Sequence, residues 1–76
     1  MNKERRVEIA RAIEDLRSVK TDVESILMDE QSCLDSLPEN LENSEMYSKM
    51  ENACDELDSA MDALIEAEEC LDRARE

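Results

Sequence analysis

Asp55, Glu56, Asp58, Asp62, Glu66, Glu68, Glu69 and Asp72 crowd a stretch that holds no lysine or arginine. Carboxylates move protons, ligate metals or attract cations. Proton transfer needs a concave, partly dry site that shifts a carboxyl pKa, and calcium binding of the EF-hand kind needs a loop with a central glycine. The chain has no glycine and no histidine, so that loop is missing, as are the Glu-x-x-His pairs of di-iron bundles. No catalytic residue, cofactor site or metal site is expected, and the protein reads as a non-enzyme.

What remains to these acids is long-range electrostatics. The formal net charge is −13 and is unevenly spread: residues 1–20 carry six bases and four acids, whereas residues 21–72 carry seventeen acids and one base, Lys49. A rod with such a carboxylate density resembles a nucleic-acid backbone, and it suits the basic groove of a protein that handles nucleic acid or of a defence protein. The plainer reading is a solvated helical face that keeps a small rod soluble. Direct nucleic-acid binding is not expected, because the basic cluster is small, lacks interleaved aromatics and sits on a molecule that repels phosphate.

Cysteine is the other reactive residue type. Cys33, Cys54 and Cys70 are odd in number, irregular in spacing and without a Cys-x-x-Cys pair. They are expected as free thiols that pack as small apolar residues in a reducing compartment, the cytoplasm. The longest apolar runs are two or three residues, against about 20 for a membrane span. Neither a membrane segment nor a signal peptide is expected.

The elements that must hold these residues follow from the apolar spacing. Ala53, Ala60, Ala67 and Ala74 alternate with Leu57, Leu64 and Leu71, a 4,3,4,3 pattern that lines one stripe of a helix. Met46 and Met50 extend it toward the amino end. A looser stripe of Ile9, Ile13, Leu16, Val23, Leu27 and Leu34 defines an earlier helix, with Lys20 and Glu30 falling on the same seam. At those two levels the seam is expected to open to solvent or to a partner. The lack of glycine and near lack of aromatics disfavour sheets.

Between the stripes, Ser36-Leu37-Pro38-Glu39-Asn40-Leu41-Glu42-Asn43-Ser44 combines proline with cap and turn formers. Proline ends the first helix, Asn43 or Ser44 can cap the second, and Ser36 with Glu39 allows a short helical turn within the loop. The expected fold is all-α: an antiparallel two-helix hairpin with a helix over 3–35, a turn over 36–44 and a helix over 44–75. Folding about the turn pairs residues whose numbers sum to about 81, which sets Val23 near Leu57, Leu27 near Cys54 and Ile9 near Leu71. A lone hairpin leaves one side of its seam bare, and Val19, Ile26, Met61 and Ile65 are expected to form a second apolar edge. Through it two hairpins would associate as a homodimeric four-helix bundle.

The run Met28-Asp29-Glu30-Gln31, then Leu37-Pro38-Glu39-Asn40-Leu41 and Asn43-Ser44-Glu45, followed by alanine and leucine heptads, resembles a group of short coiled-coil proteins. They are encoded in prophages, phages and conjugative elements of Gram-positive bacteria. The resemblance implies a mobile-element origin, a bacterial cytoplasmic setting and a helical hairpin, but no catalytic residues. Two functions follow as expectations. One is a phage-type, non-enzymatic module that binds a basic nucleic-acid-binding or defence protein as a DNA mimic, an anti-defence inhibitor, with the eight acids as contact. The alternative is a self-assembling scaffold coiled coil whose acids serve only solubility.

Overall fold

The computed structural model describes residues 1–41 and 44–76; Glu42 and Asn43, part of the expected turn, lie outside the described residues. Two helices, α1 (Lys3–Asp35) and α2 (Glu45–Ala74), pack against each other as a hairpin. The rod measures 59 × 15 × 12 Å with a radius of gyration of 17.3 Å. No strand occurs among the described residues.

Local chemistry sets the helix ends. Asn2 caps α1: its Oδ1 accepts the Arg5 amide at 2.8 Å, satisfying a donor that has no partner within the first turn. At the other end the Ser36 amide donates to the carbonyls of Ser32 and Cys33 at 3.1 and 3.3 Å, and Leu37 donates to Leu34 at 3.3 Å. Pro38 has no amide to continue the ladder and opens a short 3-10 turn, Glu39–Leu41, closed by the Leu41 amide on the Pro38 carbonyl at 2.9 Å. No described residue has a positive φ.

Ser44 is the cap of α2 rather than its first residue. Its Oγ accepts the Tyr47 amide at 3.1 Å while its hydroxyl donates to the Leu41 carbonyl at 2.6 Å, so one side chain both starts the helix and fastens it to the loop. Arg75 is likewise the C-terminal cap, with its amide on the Leu71 carbonyl at 3.2 Å.

The seam is thin. Ile13 (2% exposed) and Cys54 (6%) are the buried apolar residues among those described, and most other seam positions are half-covered. A two-layer hairpin shields its apolar stripe from two sides only, and water reaches the rest. Two residues expected on the seam are exposed: Met46, in the first turn of α2, and Ala74, the last residue of that helix. Both lie at ends of the rod.

Candidate protein-binding surface

The two flanks of the seam differ, and the difference decides which acids are available. Tyr47, Cys54, Met61 and Glu68 recur every seven residues on α2, each placed just beside the leucine and alanine stripe. All four are at least half-covered, which marks the flank where α1 leans over α2. Glu68 is the polar member of this row and the centre of the cross-helix contacts: Lys20 Nζ reaches its Oε2 at 2.7 Å and Arg17 Nε its Oε1 at 2.6 Å. Arg17 also pairs with Glu14 at 3.2 Å on its own helix.

A pairing in which numbers sum to about 81 sets Lys20 level with Met61, one heptad short of Glu68. Helical side chains lean toward their own amino terminus, so in an antiparallel pair Lys20 and Glu68 lean toward each other along the axis. Their combined reach spans the heptad. Lys20 therefore does not open the seam to solvent; its stem covers the seam and its charge is met.

Glu68 thus differs from the other seven acids expected to contact a partner. Its side chain is only 17% exposed, and hydrogen bonds from Lys20 and then Arg17 hold its carboxyl below the usual range against the opposing effect of desolvation. The same hydrogen bond to Glu68 raises Arg17. Asp72 is exposed but engaged, accepting from Arg75 at 2.7 Å. Asp55, Glu56, Asp58, Asp62, Glu66 and Glu69 are exposed and have no cation within 4 Å among the described residues. The outer face of α2 is a surface of six unneutralised carboxylates, with Asp55, Asp62 and Glu69 in one row at heptad spacing.

Nearer the turn, on the flank of Cys54, a cleft of about 460 Å³ opens between the helices, lined by Gln31, Leu34, Asp35, Leu37, Tyr47, Glu51, Cys54 and Asp55. Burial pushes the Cys54 thiol up, and Glu30, Asp55, Asp35 and Asp58 add to the effect by repelling a thiolate. Cys54 is held in its neutral form, unlike a reactive cysteine, which is activated by nearby positive charge. Cys33 and Cys70 are exposed, so of the three thiols expected to pack near the core only Cys54 does so. Arg73 Nη2 donates to Cys70 Sγ at 3.3 Å.

The four residues expected to form one self-association edge do not share a flank. Met61 lies in the row of Cys54 and Glu68, with Ile65 one turn on and beside it, whereas Val19 and Ile26 are on the opposite side of the α1 seam from Arg17. The even apolar spacing of α1 does not reveal this. It becomes legible only when Arg17 and Lys20 mark their flank.

Among the described residues, no three Cys, Asp or Glu side chains converge so as to hold a metal ion, and no helix is long and apolar enough to cross a membrane. Comparison of the chain with protein-family models, with curated proteins and with solved structures returns no match.

Proposed function

We propose that the chain is a non-enzymatic protein-binding module of phage or mobile-element type. Its outer α2 face docks on the basic groove of a nucleic-acid-binding or defence protein in the bacterial cytoplasm and inhibits that protein by occupying the place of phosphates. The observation that carries the reading is the unpaired state of Asp55, Glu56, Asp58, Asp62, Glu66 and Glu69. From Glu51 to Asp72 the helix has no base. With Glu68 and Asp72 paired, seven acids remain from Glu51 to Glu69, over roughly 27 Å of axis, about one charge per 4 Å, close to the 3.4 Å per phosphate of one strand of duplex DNA. A face kept only for solubility gains nothing from leaving these acids without the interspersed bases that soluble helices use for i,i+4 support.

The test is capture of bacterial proteins on the immobilised hairpin, with Asp55→Lys, Asp58→Lys, Asp62→Lys and Glu66→Lys combined as the control. A partner held by charge mimicry is released by salt and by competing duplex DNA and is not retained by the reversed variant. Capture that survives all three treatments overturns the mechanism. The scaffold alternative has the exposed Val19, Ile26 and Ile65 in its favour. Their division between two flanks removes the single edge that a closed four-helix bundle requires.

A further inference from the structure

The flank of α1 away from the ion pairs has a pattern of its own. Ala12, Val19, Ile26 and Cys33 recur every seven residues and are all exposed, Val19 at 45% and Ile26 at 54%. One turn before each lies an acid: Glu8, Asp15, Asp22 and Asp29, all exposed. Residues four apart are neighbours on a helix surface, so an apolar line is bordered along its outer side by an anionic line. On the α2 side of the same flank the seam positions are the small Ala53, Ala60 and Ala67, with the exposed Ala63 and Cys70 beyond them.

We infer that this flank is a helix-binding face that takes a third, basic amphipathic helix from a partner protein and so completes a three-helix bundle; the inference rests on the partner-binding reading above. Alanines along one wall let a third backbone come close, while Val19 and Ile26 offer side chains for an apolar stripe to cover. The occupant is fixed by charge. A second copy of this chain would set Asp15, Asp22 and Asp29 beside the same residues of its twin, with −13 on each molecule, and like charges at that spacing repel. A helix with lysine or arginine bordering its apolar stripe meets the acidic line with opposite charge, and it excludes neutral or acidic helices of the same shape. The stripe from Ala12 to Cys33 is roughly 32 Å long, so the occupant needs about six turns.

The probe is a dye-labelled synthetic peptide of about 25 residues, enough at 1.5 Å per residue to cover the stripe. It carries leucine at two positions per heptad and lysine at the bordering ones. Controls are a scrambled peptide and one with glutamate in place of lysine. Anisotropy titrations are expected to show binding of the basic amphipathic peptide alone. Val19→Asp with Ile26→Asp weakens it by at least about tenfold, as does Asp15→Lys with Asp22→Lys. The quadruple reversal on the outer face of α2 leaves it within about twofold. Equal binding of the scrambled peptide, or no effect of either pair of α1 substitutions, overturns the proposal. So does a wild-type dimer in sedimentation equilibrium that Val19→Asp dissociates, because the occupant is then a second copy. Because the α2 reversal tests the mimicry reading and the α1 pairs test the groove, failure of one is distinguishable from failure of the other.

Discussion

Ile13→Ala should separate the buried seam from the rest of this largely wet molecule. Ile13 is 2% exposed, and truncating a buried isoleucine to alanine costs about 2–5 kcal/mol, depending on how far the walls collapse. A two-layer hairpin has water on both sides of the site and relaxes readily, so the lower part of that range, about 2–3 kcal/mol, applies. Typical stabilities of about 0.05–0.15 kcal/mol per residue give a 76-residue chain about 4–11 kcal/mol in total. The substitution therefore removes a large share of the fold and lowers the melting temperature by about 8–24 °C. Ile26→Ala, on the same helix but 54% exposed, should stay within about 0.5 kcal/mol. Urea titrations followed by far-UV circular dichroism at low protein concentration give both numbers, with the slope against urea unchanged for each variant. Equal losses at Ile13 and Ile26 would refute the reasoning, because the flank described as bare would then be buried in solution.

Ser44→Ala removes the acceptor for the Tyr47 amide and the donor to the Leu41 carbonyl, and it should lower stability by about 1 kcal/mol; Ser44→Asp, which keeps the cap, should recover much of that in the same titration. Glu68 has its folded carboxyl held below the ordinary value of 4.5, so its pairing contributes above that value and is lost as pH falls through the lower folded value. The stability gap between wild type and Glu68→Gln is therefore expected to close in acid, and a gap constant with pH contradicts the pairing. Cys54, raised above its ordinary 9.0, should react with a disulfide reagent more slowly than exposed Cys33 and Cys70, giving two fast equivalents and one slow one that Cys54→Ser abolishes. By the same linkage the fold should lose stability as pH rises past that ordinary value, because the thiolate is disfavoured in the folded state.

The hairpin itself was readable from spacing. α1 spans the predicted 3–35, and α2 differs from prediction only because Ser44 and Arg75 are caps rather than helical residues. Glu68 was not readable as an internal partner. It stands among Glu66, Glu69 and Asp72 with the same residue type and no mark of its own, and its role arises from the lean of side chains on two antiparallel helices. One signal was present: Glu68 continues the seven-residue row of Tyr47, Cys54 and Met61, and a lone acid in an otherwise apolar row calls for a cation across the seam. Lys20, which interrupts the α1 row of Ile13, Leu27 and Leu34, was that cation. The separation of Val19 and Ile26 from Met61 and Ile65 had the same origin, since helical periodicity tells which residues share a helix face but not which faces meet.

The slenderness of the rod bears on how its assembly state is to be measured. A compact chain of this length would have a radius of gyration of about 11 Å, whereas this one has 17.3 Å, a size proper to a compact chain of about 230 residues. Gel filtration sorts by hydrodynamic size, so a single hairpin elutes ahead of a globular protein of its own mass. Calibrated against globular standards, the monomer would pass for an oligomer. Stoichiometry has to come from mass itself, by sedimentation equilibrium or light scattering; a rod of these proportions turns slowly end over end and fast about its long axis, and a second rod lying alongside it slows chiefly the axial motion.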